Sequence, residues 1–239
     1  MISVRTKLYF SMENLILQQF FVFTFSERHD KMCSYLYFSF LRGQTMDSNF
    51  FALISRMRYI ARWGLMRNAL PENIQEHSHM VAVLAHALGV IRRDIFHQPC
   101  DVNALATAAL YHDASEILTG DLPTPIKYHN AEIMSAYHAV EDLAVQKLLG
   151  MLPPELRGTY ADVLAEDKDG DIYPLVKAAD KLSAYIKCIE ERKAGNNEFL
   201  SAEAQTRAAL EASPLPEVQY FLEHFIPAFE RDLDELGAI

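Results

Sequence analysis

Residues 102–125 read VNALATAALYHDASEILTGDLPTP. The first part is apolar at helical spacing, which predicts a helix over 102–118 with Asp101 as its N-cap. On that helix Leu105, Ala109, His112 and Glu116 share a face, and Asp113 borders it. The second part, Thr119 to Pro125, is a breaker cluster. Two prolines two positions apart do not continue a helix, so a rigid loop is expected there. A charged Asp beside a His on an apolar helix is costly to bury unless something pairs with it. A divalent metal would do so, because imidazole and carboxylate both suit first-row ions. A surface His-Asp dipeptide is the plainer alternative.

The chain on either side reads as helix after helix. Helices are expected over 49–63, 75–94, 130–149, 173–194, 201–212 and 217–236, the last bent at Pro227. Pro71 marks a loop over 64–74, Pro153-Pro154 another, and 166–171 (EDKDGD) a solvated acidic one. The helix from Tyr173 stops at Gly195-Asn196-Asn197. Strand-like alternation is scarce and no Gly-rich loop follows an apolar run. From 46 onward the expectation is one all-α domain, a helical bundle.

Two further residues bear on the His112-Asp113 pair. His77 lies on the apolar face through Val81, Leu84, Leu88 and Ile91, where a lone His is usually a satisfied core residue. Asp180 sits among Val176, Ser183 and Ala184, small enough to admit a neighbouring helix. An ion pair with Lys177 or Lys181 is the competing use of Asp180. Together the four residues spell H…HD…D.

Composition narrows the function classes. The 239 residues carry 22 Lys or Arg and 32 Asp or Glu, a formal net charge of −10, with half the residues hydrophobic. Such a balance argues against coating nucleic acid or an anionic membrane, both of which need a basic face. It leaves room for a small phosphate ester held by a few local cations. Three dispersed cysteines with no C-x-x-C fit a reducing cytosol, so the expected location is cytoplasmic. Residues 1–45 differ from the rest: ten Phe and Tyr, and five basic against three acidic residues. Their apolar run over 15–25 is shorter than the about 20 residues of a membrane-spanning helix, and no small-residue cleavage site follows. The favoured reading is an extension of doubtful origin, poorly ordered or outside the native protein, with the true start at Met46.

The motifs Arg62-Trp63, Glu76-His77-Ser78, Tyr111-His112-Asp113-Ala114-Ser115-Glu116, Thr119-Gly120-Asp121-Leu122-Pro123-Thr124-Pro125 and Ala194-Gly195-Asn196-Asn197-Glu198-Phe199 resemble the bacterial 5′-deoxynucleotidases of the YfbR type. These belong to the HD-domain metal-dependent phosphohydrolase superfamily, which the H…HD…D order alone resembles. The likeness runs from about Met46 to near the C-terminus. It implies one divalent metal, Co2+ or Mn2+, on His77, His112, Asp113 and Asp180. It implies that Glu116 orients or deprotonates the attacking water and that Asp121 protonates the leaving 5′-oxygen or positions the nucleotide. Asp121, Leu122, Pro123 and Thr124 are expected around the substrate, with His77 and Asp113 facing it as well. Arg62 is expected on the phosphate, for which its planar fork is suited; Lys127 would add charge there with lower priority. Trp63 would close on the sugar where a 2′-hydroxyl would clash. The implied partner is a deoxyribonucleoside 5′-monophosphate, and the family is homodimeric. Read from the residues alone, Glu116 is equally a surface Glu, Asp121 an Asx-turn residue, and Trp63 a core residue.

The expected function is therefore metal-dependent hydrolysis of 2′-deoxyribonucleoside 5′-monophosphates, selective against ribonucleotides. The rivals are an HD hydrolase of a triphosphate or cyclic nucleotide, and a non-catalytic helical regulatory module.

Overall fold

The computed structural model describes residues 48–127, 129–165 and 170–237, apart from the side chains of Thr124 and Pro125. The expected extension over 1–45 and most of the acidic loop over 166–171 lie outside the described residues. The described residues form helices throughout, joined by turns, with a single isolated bridge between Ala61 and Asn73. The helices are α1 (Phe50–Ile54), α2 (Ile74–Val90), α3 (Val102–Tyr111), α4 (Glu116–Thr119), α5 (Thr124–Lys127) and α6 (Ala131–Gly150). After them come α7 (Pro154–Leu164), α8 (Tyr173–Lys193), α9 (Leu200–Glu211), α10 (Pro216–His224) and α11 (Ile226–Phe229). No described helix is long and apolar enough to cross a membrane.

Local chemistry sets the helix starts. Asn73 begins α2 by accepting hydrogen bonds from the backbone N–H of Gln75 and Glu76. Asp101 does the same for α3 through Ala104, as expected, and Asn130 caps α6 through Ile133. α8 lies between α2 on one side and α9 on the other, and α3 packs along α2. Their shared core includes Val81, Leu88, Leu105, Ala179, Leu182 and Ile189. Gly89 lets α2 and α3 pack closely: a Cβ there would stand 3.0 Å from Leu105 Cδ2. A smaller cluster of Phe50, Ala114, Leu148 and Leu164 seats α1, α6 and α7.

Four expectations need correction. The helix expected over 49–63 ends at Ile54 and tightens to a 3₁₀ turn over Ser55–Tyr59. Arg62 and Trp63 therefore lie beyond it, beside the Ala61–Asn73 bridge, where Arg62 N–H donates to Glu72 O at 3.0 Å. The helix expected over 102–118 breaks after Tyr111. In the break Ala114 N–H bonds Tyr111 O and Glu116 N–H bonds Asp113 O, three-residue steps in place of four. The expected loop at 119–125 gives way to α5 at Thr124, since a Pro in the first helical turn sacrifices no hydrogen bond. The final helix stops at His224 and restarts as α11, with Pro227 in its first turn. α7 was not anticipated.

One buried charge cluster ties the 60–73 segment to α8. The Glu191 carboxylate, fully buried, accepts from the backbone N–H of Ala69 and Leu70 and from Asn196 Nδ2 at 2.8–3.0 Å. Lys187 Nζ donates to it and to Leu70 O. Burial by itself raises a carboxyl pKa, but these donors outweigh it and hold Glu191 down to about 2, against 4.5 ordinarily. A depressed pKa stabilises the fold fully above the ordinary value, and that contribution is lost as pH falls from about 4.5 toward 2. Glu191→Gln, which leaves Lys187 charged and buried, should cost about 3–5 kcal/mol at pH 7 in urea unfolding. The gap to the wild type should narrow as the pH is lowered to 3; a gap independent of pH would contradict the account.

Candidate active site

The break between α3 and α4 makes the site. In a continuous helix His112 and Asp113 would diverge around the axis. The tightened turn instead leaves His112 Nε2 3.1 Å from Asp113 Oδ2. From α2, His77 brings its Nε2 to 3.1 Å from Asp180 Oδ1 on α8 and 3.5 Å from Asp113 Oδ2. The two imidazole centroids are 5.3 Å apart. One ligand atom from each of His77, His112 and Asp180 lies within 4.8 Å of the others. Asp113 borders both imidazoles, so the structure brings together all four residues named from sequence.

Ring orientation shows what this cluster can hold. His112 Nδ1 stands 2.8 Å from the Ala109 carbonyl, which only accepts, so Nδ1 carries a proton. His77 Nδ1 pairs with Ser183 Oγ at 3.1 Å. Both Nε2 atoms are buried and make no hydrogen bond among the described residues. A buried polar atom without a partner needs an explanation. Two free imidazole nitrogens turned toward two carboxylates fit a divalent first-row cation, with Ala109 and Ser183 fixing the rings from behind. Asp113 and Asp180 are poised for that role. Burial alone would raise both, but the neighbouring imidazoles, joined by Arg62 at Asp113, hold both well below the usual carboxylate range.

Glu116 opens α4 and is buried, with Oε2 unbonded among the described residues. Burial first, then the charges of Asp113 and Asp121, push its carboxyl up to about 10. A cation among the neighbouring ligands would act in the opposite sense, favouring the ionised form. Asp121 follows Gly120, whose φ of 75° turns the chain sharply out of α4. Burial raises its pKa too, opposed by Arg62. Leu122 and Pro123 are half-buried beside it. Lys127 is committed elsewhere: Nζ bonds Glu141 Oε1 at 3.0 Å and covers the Tyr137 ring.

Arg62 adjoins the cluster at Asp113, and Trp63 follows it in the chain. Arg62 Nη1 lies 3.4 Å from Asp113 Oδ2. Trp63 has a φ of 58°, a left-handed backbone that costs a bulky residue about 1–3 kcal/mol and persists only where surroundings enforce it. Its ring packs against Phe199 with centroids 5.2 Å apart. Two participants were not anticipated from sequence. Ser183 appeared only as a small helix neighbour. Glu72, which accepts hydrogen bonds from both Arg62 and Trp63, stands in a loop with no periodicity to mark it.

A family model described as 5′-deoxynucleotidase YfbR-like matches residues 49–229. The proteins named 5′-deoxynucleotidase YfbR from Shigella boydii serotype 18 and Escherichia coli strain K12 / DH10B are each 50% identical over 192 residues. That span is 80% of this chain and 96% of theirs. An HD-domain phosphohydrolase from Listeria innocua superposes with a TM-score of 0.69 at 25% identity, over 77% of this chain and 90% of its own. The PH0347 protein of Pyrococcus horikoshii shares the fold, with a TM-score of 0.58 at 21% identity, over 77% of this chain and 98% of its own.

If the paired Nε2 atoms hold a cation, His112→Ala should abolish stoichiometric Co2+ or Mn2+ binding in equilibrium dialysis. Lys127→Ala, whose ammonium pairs with Glu141, should leave binding intact. Full metal occupancy in His112→Ala would contradict the assignment.

Proposed function

The chain belongs to the YfbR-like 5′-deoxynucleotidase family, and from that premise we propose how its own residues carry out the hydrolysis. The substrate is a 2′-deoxyribonucleoside 5′-monophosphate and the products are deoxynucleoside and phosphate. The observation that carries the reading is the pair of buried Nε2 atoms, unbonded among the described residues, beside Asp113 and Asp180. His77, His112, Asp113 and Asp180 would hold one divalent ion, Co2+ or Mn2+ by family resemblance. When bound, such an ion lowers the pKa of a coordinated water and offsets charge on the phosphoryl group.

The remaining steps fall to protein groups. Arg62, on the rim beside Asp113, binds the phosphate oxygens through its fork. His77 and Asp113 also face the phosphate as part of the substrate site. Glu116, on the other side of Asp113, takes the proton from the attacking water. The new P–O bond forms in line with the P–O5′ bond, which breaks as Asp121 delivers a proton to O5′. No covalent enzyme intermediate is needed. Trp63 closes on the sugar and leaves no space for a 2′-hydroxyl. Leu122 and Pro123 line the same approach. Thr124 is assigned to it from the family motif, its side chain lying outside what the structure describes.

The same reading covers the wider biology. We assign the hydrolase to residues 46–239, with 1–45 outside it, supported by the family match over 49–229. A homodimer is what the family resemblance implies. A cytoplasmic setting is supported by dispersed cysteines with none in a C-x-x-C pair.

Phosphate release from matched deoxy and ribo 5′-monophosphates, with Co2+ or Mn2+ and then with chelator, tests the proposal. Metal-dependent release from the deoxy members is expected, and Glu116→Gln should lower kcat by about 10²–10⁴ while leaving metal bound. No release with any metal would refute the reading. Equal release from both sugars would refute the role of Trp63.

A further inference from the structure

Glu72 has no part in the ligand set or in the proton transfers above, yet three functional side chains converge on it. Its Oε2 accepts from Trp63 Nε1–H at 2.8 Å and from Arg62 Nε–H at 3.2 Å. Its Oε1 stands 3.9 Å from His77 Nδ1. Its backbone carbonyl accepts from Arg62 N–H, and the next residue forms the bridge to Ala61. The carboxylate is largely shielded from solvent, with a side-chain exposure of 14%, so both hydrogen bonds are charge-assisted in a poorly screened setting.

Trp63 needs such an anchor. Its backbone is in the left-handed region, and its side chain is a rigid plane with one donor. Phe199 fixes the face of that plane and Glu72 fixes the donor edge. Rotating the indole within its plane, or tilting it away from Phe199, breaks the 2.8 Å hydrogen bond. The same oxygen fixes Arg62 by Nε, which leaves Nη1 to point toward Asp113. One carboxylate therefore sets the distance between the group assigned to the phosphate and the group assigned to the sugar.

We propose that Glu72 is the positioning residue for sugar selectivity: it holds the Trp63 indole and the Arg62 guanidinium in the one arrangement that excludes a 2′-hydroxyl. The inference rests on the reading of Trp63 as the wall against the sugar, and it adds what makes that wall rigid. A neutral amide still has one oxygen that can accept both hydrogen bonds, but without the charge that strengthens them, and alanine accepts neither. The indole then rotates, and the ribo substrate gains room.

The test compares kcat/KM for deoxyadenosine and adenosine 5′-monophosphates in wild type, Glu72→Gln, Glu72→Ala and Trp63→Phe. Trp63 is the only tryptophan in the chain, so its fluorescence anisotropy decay reports indole mobility independently of turnover. Metal content is measured in each variant. The deoxy-to-ribo ratio is expected to fall at least about tenfold in Glu72→Ala and by less in Glu72→Gln, with metal content unchanged. A fast anisotropy component should appear in both. Adding Glu72→Gln to Trp63→Phe should lower the ratio no further, because the donor is already gone. Should Glu72→Ala not fold, Glu72→Gln and the double variant carry the test. Equal losses on both sugars with an unchanged ratio, or an indole as rigid as in wild type, would overturn the inference. Equal wild-type rates on the two sugars would overturn the selectivity reading and this inference with it.

Discussion

Everything at the site depends on keeping two imidazole Nε2 atoms buried, aimed at carboxylates, and without a hydrogen bond among the described residues. Leaving such groups unpaired in a protein interior costs several kcal/mol each by typical magnitudes, about 1–3 per unsatisfied polar atom and more for a charge. The structure meets that cost by construction. Helix α2 supplies His77, α8 supplies Asp180 and Ser183, and the break after α3 supplies His112 and Asp113. The apolar core of Leu88, Leu105 and Leu182 holds these elements in place. A cation at the centre satisfies the nitrogens and the carboxylates together, so its binding free energy adds to the stability of the fold.

The second organising feature is a carboxylate hierarchy. Glu191 fastens the 69–70 backbone to α8, Glu72 fastens Arg62 and Trp63 to that same segment, and Asp113 meets Arg62 at the site rim. Glu191 is buried, Glu72 and Asp113 are largely shielded, and each is matched by donors fixed in position, so Trp63 is held by a network rather than by one contact. Glu116 and Asp121 differ. Their pKa values rise because burial, together with the nearby Asp113 charge, disfavours ionisation, and a raised pKa is what lets a carboxyl group exchange a proton with substrate.

The helical architecture was legible because apolar spacing and capping residues such as Asp101 act locally. The clustering of His77, His112, Asp113 and Asp180 was legible because H…HD…D carries its chemistry in residue type. The misreadings have a common origin in tertiary contacts. Periodicity continued α3 through His112, whereas burial of both His112 and Asp113 favours the tightened turn. Arg62 and Trp63 read as a helix end because nothing nearby in sequence announces the bridge to Asn73. Glu72 and Ser183 left no pattern at all, since their roles are defined by partners on other elements. Lys127 looked available for phosphate until Glu141, fourteen positions on, was seen to hold it.

The most direct test of the account is where a divalent ion binds in the intact protein. X-ray diffraction from metal-loaded crystals, collected on either side of the cobalt or manganese absorption edge, locates that ion by its anomalous signal. The account predicts one peak per chain among His77 Nε2, His112 Nε2, Asp113 and Asp180. A peak away from the two imidazoles, or none there in protein that hydrolyses substrate, would contradict it.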